Sequence, residues 1–212
     1  MKKAIVISTF GSPAYIALQI ESARRFSPDS SILIYDDMSN NIGLRDLCKQ
    51  QRIELYSNHS RMGHFLGDLN SYIVGLEFAK NIGAEQLIKI SRRFLPITSW
   101  ENIPFDTTVG NSDVAFNWNL RTEFVGFNVE MWHKQLSLKD YAGGFIENHI
   151  AEKAQKIGSI TQFDWLGATR YRDNGNFLWY NFATPLDYVN KGLEWGLEFT
   201  ESDFNTSPNW EQ

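Results

Sequence analysis

Short apolar runs alternate with amphipathic segments through roughly the first ninety residues, and this alternation limits the fold more than any other feature. Each run spans only a few residues and stops at small or polar residues, as a buried strand does. The longest intervening segment repeats apolar residues at helical spacing, from Leu66 through Leu69, Ile73 and Leu76 to Ala79. The pattern therefore predicts an α/β fold with a mostly parallel sheet and helices on both faces. The predicted strands are residues 4–10, 32–35, 53–56 and 86–90.

The predicted helices begin and end at recognisable residues. Ser12 is an N-cap residue followed by Pro13 at the first helical position, and Ser27 with Pro28 ends that helix. Gly83 lies just past the third helix, where glycine is favoured. These signals place a loop directly after the first strand, at residues 9–12.

The pattern changes after Pro96. Residues 114–118 and 124–129 are predicted strands with no long helix between them, which indicates a mixed or antiparallel C-terminal part of the sheet. A helix is predicted over residues 144–157, and the chain beyond Asp164 is rich in Trp, Tyr, Asn and Gly. Because no linker, repeat or low-complexity segment interrupts the chain, we expect one domain over residues 1–212.

Composition narrows the partners and the compartment. The chain has 212 residues, 42% of them hydrophobic, which suits one domain with a sizeable core. A net charge of −5 without a long basic run gives no reason to expect nucleic acid or an anionic membrane as a partner. Cys48 is the only cysteine, which excludes a disulfide scaffold and indicates a reducing cytoplasm. No apolar run approaches the length of a signal peptide or a membrane span.

Two adjacent carboxylates, Asp36 and Asp37, end the second predicted strand. Ligands of open α/β sheets bind outside the carboxyl ends of the strands, so both aspartates are placed at a binding edge. Their oxygens can accept hydrogen bonds from a uracil N–H or from ribose hydroxyls. The alternative is that Asp36 caps the turn and Asp37 is solvated, since aspartate is a common turn residue.

Several strand-end segments together resemble glycosyltransferases of the GT-A fold, most of all the bacterial and phage polysaccharide-type transferases. The resemblance covers roughly residues 3–130 and implies a single Rossmann-like GT-A domain. About residues 1–98 are implied to bind a nucleotide-sugar donor, with UDP the favoured nucleotide, and about residues 99–212 a glycan or lipid-linked acceptor. The segments are Thr9-Phe10-Gly11, Asp36-Asp37-Met38-Ser39, Arg61-Met62-Gly63 and Lys89-Ile90-Ser91-Arg92-Arg93-Phe94.

One departure from the family concerns the metal site. Where the resemblance implies an Asp-x-Asp motif that binds Mg²⁺ or Mn²⁺, this chain has Ser91, Arg92 and Arg93. Guanidinium groups have donors and no lone pair to give, so they cannot ligate a metal. They can stabilise the charge of a departing diphosphate, and we expect Arg93 to contact it, with Arg92 as the second candidate. The alternatives are a metal bound by other carboxylates, or two surface cations. Adjacent residues of a strand point to opposite faces, which predicts that only one arginine reaches the ligand.

A second candidate group surrounds the third loop. Gly63 permits close backbone approach, and the following helix offers N–H groups to an anion, beside Arg61. His64 and Asp68 are spaced to share a helix face, and Asp68 is a candidate ligand of a donor sugar hydroxyl. Two such residues without a third ligand are a weak metal site.

Glu147 is the candidate catalytic base on the acceptor side. Inverting transfer needs a carboxylate within hydrogen-bond reach of the acceptor hydroxyl. Glu147 follows Gly143 and Gly144 near a predicted helix start, and it resembles the acceptor-side acidic residue of related transferases. The alternative is a favourable charge in the first helical turn, with no function. The competing glutamates are Glu123, Glu130 and Glu152.

Arg121 and the C-terminal aromatic residues complete the predicted acceptor side. Arg121 either binds an acidic sugar or phosphate of the acceptor or is an exposed arginine at a strand end. The aromatic residues either stack on sugar faces or close the core over the sheet. The sequence leaves both pairs of alternatives open.

Other chemistries lack their motifs. The chain has no dinucleotide-binding glycine pattern, no P-loop, no nucleophile elbow and no zinc-binding His-Glu-x-x-His helix. Two functions from different classes remain. One is a glycosyltransferase that moves a hexose-type sugar from a nucleotide donor, and the other is a non-catalytic GT-A-like module that binds nucleotide or carbohydrate.

Overall fold

The computed structural model describes residues 1–104, 107–110, 120–166, 175–180 and 182–204. The predicted strand at 114–118 and the aromatic residues Tyr171 and Trp210 lie outside the described residues. The strands are β1 (Lys3–Thr9), β2 (Ser31–Asp36), β3 (Glu54–Ser57), β4 (Gln86–Ser91), β5 (Phe94–Pro96), β6 (Thr108–Gly110), β7 (Phe124–Asn128), β8 (Ile160–Gln162) and β9 (Phe177–Trp179). The helices are α1 (Pro13–Phe26), α2 (Ile42–Gln51), α3 (His64–Asn81), α4 (Val129–Trp132), α5 (Ile146–Ile157) and α6 (Pro185–Glu194).

A mixed sheet of seven described strands forms the centre of the protein, in the order β3-β2-β1-β4-β7-β6-β8. The first four strands are parallel, as the alternation of strands and helices predicts. β7 runs antiparallel to both β4 and β6, which confirms the mixed C-terminal part. A separate antiparallel pair, β5 with β9, was not predicted, and it brings the C-terminal aromatic segment close to the carboxyl end of β4.

Helices cover both faces of the sheet, because alternate residues of each buried strand point to opposite sides. On one face, Val6 and Leu87 pack against Leu69 of α3 and Ile150 of α5. On the other face, Ile5, Ile7 and Ile88 pack against Ile16 of α1 and Leu44 and Cys48 of α2. Burial raises the pKa of the Cys48 thiol to about 11. The strands are therefore continuous apolar runs because they are buried on both sides.

The helix ends agree with the sequence prediction, apart from the cap of α1. Pro13 is the first residue of α1, and Gly83 lies past the end of α3 with a positive φ. Ser12 occupies the N-cap position but its side chain makes no capping bond, because its backbone is left-handed (φ 62°) rather than extended. Its hydroxyl instead accepts a hydrogen bond from Arg92 at 3.3 Å. None of the described helices combines the length and apolar character that crossing a bilayer requires.

Candidate active site

A cleft of about 740 Å³ opens at the carboxyl ends of β1, β2 and β4. Its lining residues come from the loops after these strands, the start of α3, the segment before β7, the start of α5 and the end of β9. Every predicted site residue except Asp36 lines it. This placement fixes where they lie, and the chemical role of each stays a prediction. The lining residues that the sequence predicted are Thr9, Phe10, Gly11, Asp37, Arg61, Gly63, Asp68, Ser91, Arg92, Arg93, Arg121 and Glu147.

Asp36 holds the loops behind the cleft together. Its Oδ1 accepts a hydrogen bond from the Gly11 N–H at 3.3 Å, and its Oδ2 accepts from the Ser39 N–H at 3.0 Å and from the Ser57 hydroxyl at 3.1 Å. The residue is 3% exposed and does not line the cleft. Its position therefore favours the turn-capping alternative over a contact with base or ribose.

Asp37 is buried rather than solvated, so that alternative is wrong. Its Oδ1 accepts from the Asn58 amide at 2.6 Å and from the Met62 N–H at 3.0 Å, and its Oδ2 accepts from the Gly63 N–H at 3.0 Å. The anion at the start of α3 is thus the protein's own carboxylate. The Gly63 N–H, which directly precedes the helix predicted to offer N–H groups to an anion, is therefore already occupied by Asp37.

Arg92 and Arg93 form the turn between β4 and β5. The strand ends at Ser91, so the two residues do not alternate across a sheet as assumed, and both line the cleft. Which of them contacts a ligand stays a prediction. An Nη1 hydrogen of Arg92 is donated to the Phe10 carbonyl at 2.7 Å. Burial, and then the charge of Arg93, lower the pKa of Arg92 to about 10, so it stays charged at neutral pH. The Arg93 guanidinium lies 4.0 Å from the centre of the Tyr180 ring.

Gln19 of α1 holds the turn formed by Arg92 and Arg93, here called the arginine turn, in place, and the sequence prediction missed it. Its Nε2 donates to the Ser91 and Arg92 carbonyls, each at 3.3 Å, and to the Phe94 carbonyl. The Tyr188 hydroxyl donates to the Arg93 carbonyl at 2.8 Å. The available signal was a glutamine at a helical position that otherwise belongs to the buried apolar stripe of α1.

Lys89 is the other residue that the prediction missed, although a lysine within an apolar strand is itself a signal. It is fully buried in β4, and its Nζ lies 2.5 Å from Oδ1 of Asp68. The same ammonium donates to the Ser91 hydroxyl at 3.0 Å and to the Thr122 carbonyl at 2.9 Å. Its three N–H groups therefore join α3, β4 and the segment before β7 at the floor of the cleft.

Glu147 is the second residue of α5, and it lines the cleft as predicted. Its Oε1 accepts a hydrogen bond from the Thr122 hydroxyl at 3.2 Å. Burial raises the pKa of the Glu147 carboxyl, and the nearby carboxylates of Glu123 and Asp68 raise it further. A raised pKa is the property that a general base working near neutral pH requires. Of the competing glutamates, Glu130 and Glu152 are exposed and lie outside the cleft lining.

Arg121 is buried, so the alternative of an exposed strand-end arginine is wrong. Its Nε donates to Oε2 of Glu123 at 3.1 Å, and its Nη2 forms a second contact with Oε1. The guanidinium also lies 5.4 Å from the centre of the Trp179 ring. Both residues of this ion pair, Arg121 and Glu123, line the cleft.

Within the part of the chain that the structure describes, the residues do not fit a divalent metal. No group of three or more His, Cys, Asp or Glu residues in the described part of the chain is arranged to hold one. Three of the four carboxylates in the described cleft lining are already engaged, Asp37 by N–H groups, Asp68 by Lys89 and Glu123 by Arg121. The fourth, Glu147, accepts a hydrogen bond from Thr122. The position of the family's metal motif carries two guanidinium groups, which have no lone pair to donate.

Comparison with known proteins gives matches in structure only. A scan against protein-family models gave no match, and neither did a search of curated proteins. S. aureus TarS 1–349 in complex with UDP-GlcNAc matches with a TM-score of 0.58 at 11% identity, over 95% of this chain and 69% of that one. Mannosyltransferase PcManGT from Pyrobaculum calidifontis, in complex with GDP-Man and Mn²⁺, matches with a TM-score of 0.57 at 12% identity, over 76% of this chain.

The chain thus spans 54% of the mannosyltransferase's length. At this identity the likeness concerns the architecture alone. The fold of this chain is that of the GT-A glycosyltransferases.

Proposed function

We propose that the chain is a glycosyltransferase that moves a sugar from a nucleotide donor, with UDP as its nucleotide, to a glycan or lipid-linked acceptor. The observation that carries the proposal is the arginine turn at the end of β4, which brings Arg92 and Arg93 into the cleft at the place of the family's metal motif. TarS was crystallised with UDP-GlcNAc, and the mannosyltransferase with GDP-Man and Mn²⁺. Those ligands support a nucleotide-sugar cleft in a fold of this kind.

In this proposal the arginines stabilise the negative charge that a metal ion would otherwise stabilise. Arg92 is held by a carbonyl and a hydroxyl oxygen, so these contacts orient its charge without neutralising it. Arg61 lies 4.3 Å from the centre of the Phe10 ring, on the same side of the cleft. A fixed guanidinium stabilises the negative charge that develops on phosphate oxygens as a nucleoside diphosphate departs.

Glu147 supplies the complementary chemistry in this proposal. Its carboxylate takes the proton of an acceptor hydroxyl while that oxygen forms a bond to the anomeric carbon. The bond between the anomeric carbon and the diphosphate oxygen breaks, and the electron pair leaves with the diphosphate. Thr122 holds Glu147 in place through the hydroxyl contact with Oε1.

Calorimetry of UDP binding tests the role of the arginines. Titrations are made in EDTA and then with Mn²⁺, using wild type, Arg93→Ala and the control Arg24→Ala, which changes an exposed arginine of α1. We expect metal-free binding that weakens about tenfold or more in Arg93→Ala, because a hydrogen bond to a charged group contributes about 1.5–3 kcal/mol. Binding that requires Mn²⁺, or equal affinity in wild type and Arg93→Ala, contradicts the proposal.

A non-catalytic binding module is the second candidate function. The replacement of the metal motif by Ser91, Arg92 and Arg93 favours it, since a lost motif is also what an inactive descendant would show. Donor hydrolysis separates the two candidates. A transferase slowly releases UDP from a UDP-sugar in the absence of acceptor, whereas a binding module does not.

A further inference from the structure

Two tyrosines from the C-terminal part of the chain contact Arg93 of the arginine turn. The Arg93 guanidinium lies over the ring of Tyr180, with 4.0 Å between Cζ and the ring centre, and both residues line the cleft. The Tyr188 hydroxyl donates a hydrogen bond to the Arg93 carbonyl at 2.8 Å. One tyrosine therefore contacts the charged end of Arg93 and the other contacts its backbone.

The pairing of β5 with β9 brings Tyr180 to this place. Phe94 lies opposite Trp179 in the antiparallel pair, so the same register places Arg93, one residue earlier, opposite Tyr180, one residue later. The Trp179 carbonyl also accepts hydrogen bonds from two N–H groups of the segment that follows, at 3.0 and 2.8 Å. The backbone on both sides of Tyr180 is thus held opposite the arginine turn.

Tyr188 is held equally firmly. It is 1% exposed on α6, and its ring packs edge to face against Tyr15 of α1 with the ring centres 5.0 Å apart. A ring packed in this way has little freedom, so its hydroxyl stays directed at the Arg93 carbonyl. Gln19 binds the carbonyls of the residues on either side, so all four carbonyls of residues 91–94 accept hydrogen bonds from these two side chains.

An aromatic contact orients a guanidinium without cancelling its charge. The face of the ring attracts the cation through its quadrupole and carries no net charge. Burial raises the pKa of the Tyr180 phenol, which is therefore neutral at neutral pH. Arg121 shows the contrasting arrangement, because it lies 5.4 Å from the centre of the Trp179 ring but is also paired with the carboxylate of Glu123.

We propose that Tyr180 and Tyr188 are positioning residues for the donor diphosphate, the first by orienting the Arg93 guanidinium and the second by fixing its backbone. The inference rests on the proposed transferase function and deepens it, since it makes the C-terminal part of the chain a part of the donor site. The resemblance assigns that part to the acceptor. A guanidinium held in place loses less conformational freedom when it binds an anion, which strengthens binding.

A double-mutant cycle with two ligands tests the role of Tyr180. Calorimetry in EDTA gives the affinity for UDP directly and the affinity for uridine, which lacks the phosphates, by competition. Wild type, Tyr180→Leu, Arg93→Ala and the double variant are compared. We expect Tyr180→Leu to weaken UDP binding by about three- to tenfold, the size of a cation–π contribution, and to leave uridine binding unchanged. In the Arg93→Ala background the same substitution should have no further effect.

Tyr180→Phe is the conservative variant, since it keeps the aromatic ring and removes the hydroxyl. It is expected to bind UDP as tightly as wild type does. A loss in Tyr180→Phe as large as that in Tyr180→Leu overturns the role assigned to the ring.

Tyr188→Phe tests the second positioning residue, because it removes only the hydroxyl that contacts the Arg93 carbonyl. We expect UDP binding to weaken by about twofold or more, again without a change for uridine. Tyr15→Phe is the matched control, since the Tyr15 hydroxyl donates to the Phe204 carbonyl at 3.1 Å rather than to the arginine turn. It should keep the wild-type affinity for both ligands.

Failure of these roles is distinguishable from failure of the proposed function. If Arg93→Ala weakens UDP binding, unchanged affinity in Tyr180→Leu overturns the role of its ring, and unchanged affinity in Tyr188→Phe overturns the role of its hydroxyl. Equal losses for UDP and uridine, or a Tyr180→Leu loss that adds to that of Arg93→Ala, also overturn the assignment. Absence of UDP binding in wild type contradicts the proposed function, and the positioning roles fall with it.

Discussion

At the residue scale, Glu147 lines the cleft and carries a carboxyl group whose pKa is raised. Replacing it with glutamine keeps the size of the side chain and removes the basic oxygen. We expect Glu147→Gln to lower kcat for sugar transfer by about 10²–10⁴, the usual contribution of a general base. Glu152→Gln, an exposed position on the same helix, is the matched control and should keep wild-type turnover. Normal turnover in Glu147→Gln would show that its charge serves only the helix start.

The pH dependence of transfer follows from the same carboxyl group. A general base must be ionised, so kcat/KM rises with pH through the pKa of Glu147, which lies above the ordinary glutamate value of 4.5. Burial and the carboxylates of Glu123 and Asp68 all raise it. Asp68→Asn removes one of these negative charges, so the acidic limb of the profile should move to lower pH. A limb that stays in place or moves upward would contradict this assignment.

Lys89 matters for stability because it is a buried cation with a single carboxylate partner in direct contact. Lys89→Met leaves Asp68 without its counter-charge, and the Thr122 carbonyl keeps the Tyr72 hydroxyl as its donor, at 3.3 Å. We expect a loss of about 3–5 kcal/mol in the free energy of unfolding, measured by urea denaturation. The double variant Lys89→Met/Asp68→Asn should lose less, since it leaves no uncompensated charge. Equal losses in the single and double variants would exclude this explanation.

At the scale of elements, Gly67 allows α3 to pack closely against Asp37 in the loop after β2. A Cβ on Gly67 would lie 2.8 Å from Oδ2 of Asp37, the oxygen that accepts from the Gly63 N–H. Alanine in place of a helical glycine ordinarily stabilises a helix by about 1 kcal/mol. Here we expect Gly67→Ala to destabilise the protein by about 1–3 kcal/mol, because the carboxylate must move.

Gly75→Ala provides the matched control within α3. A Cβ there would lie 2.8 Å from a methyl carbon of Val6, in the core beneath the helix rather than beside the cleft. Both variants should unfold at lower urea concentration, but only Gly67→Ala should also weaken UDP binding in calorimetry. Equal UDP affinity for Gly67→Ala and wild type would show that the position of Asp37 does not affect nucleotide binding.

Local patterns were sufficient for the first half of the fold. Each parallel strand is a short apolar run, and each helix of that half repeats apolar residues at helical spacing, so periodicity alone locates them. The same reasoning placed Asp37, Arg61 and Arg93 at the cleft, because the carboxyl ends of parallel strands meet at one edge.

Contacts between residues that lie far apart in the sequence could not be predicted from local patterns. Trp179 reaches the cleft only because β9 pairs with β5, opposite Phe94, and neither three-residue strand has a periodic signal. The partners of Lys89 come from α3 and from the segment before β7, which sequence spacing does not relate to β4. Arg121 looked exposed because its pairing with Glu123 depends on how the chain enters β7.

At the scale of the whole molecule, β4 and β7 join the proposed donor and acceptor parts. Their antiparallel pairing runs from Gln86 opposite Asn128 to Ile90 opposite Phe124, so separating the two parts would break the middle of the sheet. We expect a single cooperative unfolding transition, with coincident midpoints by far-UV circular dichroism and tryptophan fluorescence. UDP should raise both midpoints together. Two separated transitions would indicate two independently folding units.

Cys48 gives the protein a reporter of its own opening. It is 2% exposed on the buried face of α2, and its raised pKa keeps the thiol protonated and unreactive at neutral pH. A thiol reagent therefore modifies only molecules in which α2 has separated from the sheet, and the rate of labelling measures how often that happens. Because it is the only cysteine in the chain, the signal comes from one known place. The rate at which α2 opens can thus be measured in the native protein without introducing a labelling site.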